Sequence, residues 1–498
     1  FYISDLLREE NCIKLNRFLD SRLLKEILLY YADPGNNTMS SETEPYIRII
    51  DTADRYSNKD ANIDDKSNEN HKYLNCIFTR LNIGNGESKA LVYRYTPLEP
   101  DAIFPCEPYE CDERPKLQKE FCAYWSKILT EAGTAEILYQ MLLRILERYT
   151  WCIPLKGQSG IADISLYDHL RLTSAITACL CIKKNEDPQF SDALMEDETN
   201  NSFILLEGDF SGIQKYIFSG ASEKHGGMAK KLRARSFVIT SLINLAARSL
   251  IDRCDVPASC ILMNSGGNFF ILLPHTVTIK RILADFQNEI DKELFDKFQG
   301  FVALHTAYSV MCGNDFGSFG DKVQEVKEKL AVKKRQPYAG LLQKEGHWAE
   351  IPSFNTEAYK KKMGICKGCG SEFAEYETED GPVGLRCKHE IETGGYLVRT
   401  KAVTLIRSRK NFLSLGGWSV LPYKAEGEVY ALKSDDPDFP LAPVWRHANH
   451  VPVDADRILT FEEISDKSAG ANWLGYLKAD VDRLGMLFTV GFRSDAEE

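Results

Sequence analysis

Leu206-Glu-Gly-Asp-Phe-Ser-Gly-Ile-Gln-Lys-Tyr-Ile-Phe218 ends an apolar run on an aspartate and passes at once into a helix-like pattern. Leu477-Lys-Ala-Asp-Val-Asp-Arg-Leu-Gly-Met-Leu-Phe488 repeats that turn around Asp480. Between them, Met263-Asn-Ser-Gly-Gly-Asn-Phe-Phe-Ile-Leu-Leu273 joins two apolar segments at a double glycine, the signature of a tight hairpin. Outward from Asp209 the pattern alternates β-α-β-β-α-β. Strands are predicted over 202–207, 260–264, 268–273 and 301–310, and helices after Asp209, over 228–250 and over 279–296. Ser211-Gly-Ile-Gln214 fits a capping box, so Ser211 is expected to cap the first helix. This order predicts a ferredoxin-like domain, and the repeated turn predicts a second one.

The chain has 498 residues, enough for several domains with cores of their own. No apolar run is read as long enough to span a bilayer, so no membrane partner is expected. The 14 cysteines are mostly single, which fits reduced thiols and a cytoplasmic setting better than a disulfide framework. A net charge of −11 argues against a uniformly basic surface. Local patches remain: Lys230, Lys231, Arg233 and Arg235; Lys333, Lys334 and Arg335; and Arg399, Lys401, Arg407, Arg409 and Lys410. Each reads as a solvated face or as a contact for RNA or a neighbouring subunit.

Helices are predicted over 116–132, 135–150 and 165–181, the last capped by Ser165 with Asp168. Ala90–Tyr95 reads as a strand, 57–70 as disordered and 186–201 as an acidic linker. Asp168-His169 reads as a polar contact at a domain seam. The resulting fold class is α+β and multidomain, with helical N-terminal domains, ferredoxin-like domains and a zinc-binding insert.

Two-metal nucleotidyl transfer needs rigidly held carboxylates, and backbone amides free to receive phosphates. Asp480 and Asp482 flank Val481 and so share one side of a strand end, a good pair for magnesium or manganese and the candidate catalytic residues. In the first copy Ser211 replaces the second acid, and Asn268 stands where the hairpin would need one. Asp209, Phe210, Ser211, Gly212, Gly266, Gly267, Asn268 and Val481 are therefore read as nucleotide-binding, with no catalytic metal in the first copy. The plainer alternative is a cap and a tight turn without chemistry. Cys366-Lys-Gly-Cys369 with Cys387-Lys-His389 matches a structural zinc ribbon. Strict spacing would make Glu390 the fourth ligand, whereas ligand chemistry prefers His389. The sequence contains no His-Asp dipeptide, and His71 is the only histidine before His169.

Taken together, Asp163-Ile-Ser-Leu-Tyr-Asp-His169, Gly208-Asp-Phe-Ser-Gly-Ile-Gln214, Lys231-Leu-Arg-Ala-Arg-Ser-Phe237, Asn264-Ser-Gly-Gly-Asn-Phe269, the three cysteines and Leu477–Gly485 make the chain similar to the large subunit of type III-A CRISPR effector complexes, the Cas ten/Csm one family. The resemblance implies two nucleotidyl cyclase-like palm domains flanking a zinc element. It implies RNA-guided antiviral defence, in which target RNA switches on synthesis of cyclic oligoadenylate from ATP. Guide RNA, target RNA, other effector subunits, ATP and single-stranded DNA are the implied partners. The domains expected are a degenerate or truncated HD-like helical domain (1–84), a mixed helical linker domain (85–201), a first palm (202–350), the zinc element (351–400), a strand-rich linker (401–471) and the start of a second palm (472–498). The family's Gly-Gly-Asp-Asp hairpin does not occur within these residues, and the N-terminal segment Ile49–Ser57 lacks the nuclease histidines, so DNA cleavage is not expected. The alternative function is a catalytically inactive scaffold holding the guide RNA 5′ end and neighbouring subunits.

Overall fold

The computed structural model describes residues 21–32, 40–59, 72–80, 90–110, 113–156, 161–219, 228–344, 347–348, 359–360, 363–378, 381–422, 427–433, 436–445, 447, 452–454, 457–475 and 477. Its first part is helical: α1 (Ser21–Ala32), α2 (Glu44–Ser57), α3 (Arg114–Glu131), α4 (Ala135–Thr150), α5 (Leu166–Glu186) and the short α6 (Asp192–Glu196). Ser165 caps α5, accepting from the Asp168 amide at 3.0 Å and donating to its carboxylate at 2.7 Å. His169 lies on the buried side of α5, its Nε2 2.9 Å from Asp54 Oδ1 on α2, which joins the two helices through a polar contact. The segment 186–201 is not a free linker. It holds α6 and buries Phe190 and Met195 in the main core. Ala90–Tyr95 forms no strand, only single bridges from Val92 to Asn75 and Cys106.

Next come β1 (Phe203–Ser211), α7 (Ile213–Phe218), α8 (Met228–Arg253), β2 (Ile261–Ser265), β3 (Asn268–Pro274), α9 (Val277–Phe298), β4 (Ala303–Met311) and α10 (Phe319–Lys334). The strands lie in the order β2-β3-β1-β4, all antiparallel, the order of a ferredoxin-like sheet. β1 is buried on both faces because helices cover both sides of it. Alternation puts Ile204, Leu206, Gly208 and Phe210 on one face, and Phe203, Leu205, Glu207, Asp209 and Ser211 on the other. The β2–β3 turn is Gly266-Gly267, with φ of 66° and 102°, the left-handed pair that a two-residue hairpin requires. Ser211 does not cap α7. It remains in β1, and Gly212, at φ 82°, takes the cap position. A side chain there would meet the Phe301 carbonyl oxygen at 2.0 Å.

α8 corrects the membrane expectation in part. Lys230–Arg253 is long and apolar enough to cross a bilayer by length and composition, yet most of it is buried in this core. Ala234, Val238, Leu242, Leu245 and Leu250 are among its fully buried residues. Beyond α10 follow β5 (Tyr376–Thr378), β6 (Gly381–Val383), α11 (Leu385–Leu397), and a second antiparallel sheet of β7 (Ala402–Arg407), β8 (Ser414–Leu415), β9 (Trp418–Pro422) and β10 (Glu428–Ala431) in the order β8-β9-β7-β10. That sheet packs on α8, where Ser249 donates to the Gly416 carbonyl at 2.7 Å. One core runs from Ile49 on α2 to Trp445, and a second is built mainly from α3 and α4. Residues 472–475 carry no strand, and Asp480, Val481 and Asp482 lie outside the described residues.

Gly208 faces Phe269 across the β1–β3 pair, and a Cβ on it would lie 2.1 Å from the ring's Cζ. The ring therefore uses the space a side chain would fill. Gly208→Ala is predicted to cost about 1–3 kcal/mol by overpacking. Gly208→Ala with Phe269→Leu should recover part of that loss in urea melts. A double variant no more stable than the single one would contradict the packing argument.

Candidate functional site

Three local rules build the site around β1. The strand carries Asp209 to the sheet's end, the Gly266-Gly267 turn brings the hairpin alongside it, and α10 crosses the face on which Asp209 stands. Asp209 pairs in register with Asn268 on β3 and His305 on β4. The Phe210 amide donates to the Gly267 carbonyl at 2.9 Å, locking hairpin to turn. Ser211 Oγ lies 3.0 Å from His305 Nε2. Lys334, in the last turn of α10, forms an ion pair with the Asp209 carboxylate. Burial, with Lys334 nearby, pushes the His305 imidazole below its ordinary value, so it stands neutral.

Sequence reasoning missed Glu207, His305 and the role of Lys334. Glu207 was within reach of it, since a residue two before Asp209 on a strand must share its face. The carboxyl is 2% exposed, and its Oε2 has no hydrogen-bond partner.

On the other side of the hairpin lies a cleft of about 730 Å³, within the usual size range of small-molecule sites. Gly266 and Gly267 form one rim, Ile213 and Ile217 of α7 one wall, and Ile239 and Ile243 of α8 the floor. Ser236, Thr240, Asn244 and Asn264 supply hydrogen-bonding groups. Asn264 donates to Asn244 Oδ1 at 2.9 Å, so the two amides are held in fixed orientations. The lining is mixed, with Glu147 and Arg171 beside the isoleucines, and a cleft of apolar walls and polar edges next to a glycine turn suits a flat heterocycle. Of the residues read as nucleotide-binding, the structure brings together Asp209, Phe210, Ser211, Gly212, Gly266, Gly267 and Asn268.

The cysteine cluster also assembles, with one change of ligand. The sulfurs of Cys366, Cys369 and Cys387 and a carboxylate oxygen of Glu372 all lie within 4.8 Å of one another. The Gly368 amide donates to Cys366 Sγ at 3.3 Å, and a side chain on Gly368 would meet Cys387 Sγ at 2.8 Å. Three buried thiols and one carboxylate around a glycine knuckle fit a tetrahedral zinc site. His389 is not part of it. Its ring packs on Phe412 at 4.9 Å between centroids, and its Nδ1 has no partner. Glu390 is not part of it either, being held by Arg235 Nε at 2.7 Å and the Tyr216 hydroxyl at 2.8 Å. Burial pushes the Glu372 carboxyl up to about 7, and Arg386 Nη2, 3.8 Å away, opposes that shift.

The first basic patch largely dissolves. Lys231 and Arg235 are buried, Arg233 donates to the Gly394 carbonyl at 2.9 Å, and Lys230 alone of the four is exposed. In the third patch, Arg407, Arg409 and Lys401 pair with Asp252, Glu289 and Asp438.

With this geometry in view, residues 202–347 match the family model described as Csm1 subunit domain B. Curated relatives named CRISPR system single-strand-specific deoxyribonuclease Cas10/Csm1 (subtype III-A) include one from Methanocaldococcus jannaschii, 26% identical over 96% of this chain and 68% of the relative. Another, from Thermococcus onnurineus, is 27% identical over 73% of this chain and 48% of its own length. Among solved structures, a Csm1-Csm4 cassette in complex with one ATP superposes with a TM-score of 0.67 at 21% identity, over 94% of this chain and 58% of that one. A Csm1-Csm4 cassette in complex with cA4 gives 0.65 at 20%, over 94% and 57%. The chain thus spans between 48% and 68% of the lengths of these four proteins. Fold and matches agree on a likeness to the large proteins of subtype III-A CRISPR systems. The chain is similar to the Cas10/Csm1 proteins, through domain B over residues 202–347 and through relatives at 26% and 27% identity.

Two predictions follow from the site itself. Cys387→Ser and Glu372→Ala should each remove about one zinc per chain by elemental analysis, while His389→Ala keeps it. Zinc lost with His389→Ala but kept with Glu372→Ala would reverse the assignment. Burial raises Glu207 from its ordinary 4.5 to about 7. The folded state holds this proton more tightly than the unfolded one, so the associated stability is complete below pH 4.5 and is lost as pH rises through 7. The loss relative to Glu207→Gln is expected to reach about 3 kcal/mol across that window. Urea titrations of both proteins at several pH values measure it, and parallel pH profiles would contradict it.

Proposed function

We propose that the chain is the large subunit of a subtype III-A CRISPR effector, and that it takes part in making cyclic oligoadenylate from ATP when target RNA binds. The observation that carries this reading is the Gly266-Gly267 hairpin, locked to the Asp209–Gly212 turn of a ferredoxin-like sheet beside a cleft roomy enough for a nucleotide. In this reading the sheet is the first of two palms, and the heterocycle lies against Ile213 and Ile239 with the Asn244 and Asn264 amides at its edge. The triphosphate would run toward the Gly212 turn, where the exposed amides and Lys334 can receive negative charge. Asp480 and Asp482 would hold Mg²⁺ or Mn²⁺, which supplies Lewis-acid polarisation of the phosphates when bound. Structures similar to this chain are described as complexes with ATP, cA3 and cA4, which supports the substrate and product class.

Guide RNA, target RNA and further effector subunits complete the proposed assembly, in the cytoplasm. The scaffold alternative is weakened by the burial of Lys231 and Arg235, two of the four residues it would use. Nuclease action on single-stranded DNA, which the relatives' names state, is not proposed for these residues.

Thr240→Trp fills the cleft and is predicted to weaken ATP binding at least about tenfold, or 1.4 kcal/mol. In the assembled effector, with target RNA, ATP and Mn²⁺, it should cut oligoadenylate yield by mass spectrometry, and Asp480→Ala should abolish the product. Full yield from Asp480→Ala, or no product from the unmodified assembly, would defeat this reading.

A further inference from the structure

Glu207 and Asp209 stand two residues apart on β1 and project from the same face of the sheet. Carboxylates so placed, with Asn268 across the strand pair, are the oxygen donors a hard divalent cation takes. The helix lying over that face instead brings amines. Lys334 is ion-paired with Asp209, and Lys327, two helical turns earlier on the same side of α10, acts electrostatically on Glu207. His305, cross-strand from Asp209, is engaged by Ser211 and stands neutral. Glu207 lies at the back of this group, almost wholly buried, with one carboxylate oxygen unpartnered. A fixed ammonium already in contact with Asp209 repels an incoming dication and competes for the same oxygen.

We propose that the Lys334 ammonium takes the place of a divalent metal ion on this sheet, compensating Asp209 from within the chain. Removing that ammonium turns Asp209, Glu207 and Asn268 into a Mg²⁺- or Mn²⁺-binding site. The functional consequence rests on the nucleotide reading: this half of the enzyme receives the triphosphate through a lysine and leaves metal chemistry to the other half. The exclusion of metal does not rest on that reading, because it can be measured without ATP.

The test is Mn²⁺ binding to the full chain, followed by the electron paramagnetic resonance signal of the free ion. Wild type, Lys334→Met, Lys334→Arg, Asp209→Asn, and Lys334→Met combined with Asp209→Asn are compared, each with its thermal melt recorded. Lys334→Met should bind about one Mn²⁺ more per chain than wild type, and the double variant should lose that ion again. Lys334→Arg, which keeps the charge, should match wild type. Ions held elsewhere, including any at Asp480 and Asp482, cancel in these differences. The proposal is overturned if a folded Lys334→Met takes up no further Mn²⁺. It is overturned equally if wild type binds a Mn²⁺ that Asp209→Asn alone removes. Should Lys334→Met not fold, Lys334→Gln serves as the neutral variant under the same criteria.

Discussion

The buried ion pair between Arg235 and Glu390, with side chains 1% and 0% exposed, is the contact that the functional half of the molecule hangs from. A charge placed so deep is tolerable only when every donor is satisfied, and removing one partner of such a pair costs roughly 3–5 kcal/mol. Here the guanidinium is fully used. Nε donates to Glu390, Nη1 to the carbonyls of Ile217 and Ser219, and Nη2 to the Gly368 carbonyl at 3.3 Å with Cys387 Sγ at 3.9 Å. Glu390 also accepts from Tyr216 in α7. One side chain on α8 therefore ties together the end of α7, the cysteine knuckle and α11. α7 has only six residues, too few to hold a helix by itself, so its position is set by these contacts. Since Ile213 and Ile217 of α7 wall the cleft, the cleft keeps its shape only as far as Arg235 keeps its partners.

What the sequence made legible was what local rules decide. A Gly-Gly step between apolar runs has few conformations open to it, and Asp209 closes a period-2 pattern, so hairpin, turn and strand order could all be read. The fourth donor of the cysteine cluster could not be read by counting from Cys387. Leu385–Leu397 is helical, and two residues along a helix turn a side chain by roughly 200°, which aims His389 away from the thiols and onto Phe412. Glu390, three residues on, returns to the face of Cys387 but is claimed by Arg235. Glu372 reaches the sulfurs from the loop after Cys369, and its only sequence signal was an acid three residues beyond a knuckle cysteine. The basic patch misled for a related reason. Lys231 and Arg235 are four apart on α8 and so share the face that packs inward, a direction that charge alone does not reveal. Ser211 likewise satisfied the letters of a capping box, but β1 continues through it because Ala303 pairs with it on β4.

The two sides of the hairpin are chemically unlike, and the strand's alternation makes them so. Even-numbered residues of β1 are apolar or glycine and face α8 and α9, where Phe269 closes over Gly208. Odd-numbered residues turn acidic toward the strand's end and face α10. An acid pair buried against a sheet would repel itself if both groups were ionised and left uncompensated. The chain meets that problem with amines on the helix crossing the face, and with a Glu207 carboxyl pushed up to about 7 by burial. The acidic side stays near neutral without an added ion. The separation follows from one strand register, Asp209 opposite both Asn268 and His305, and a slip of one residue would put the carboxylate against α8. Gly208 under Phe269 and Gly212 under the Phe301 carbonyl are the two points that forbid that slip, since neither ring nor carbonyl leaves room for any side chain that would replace them.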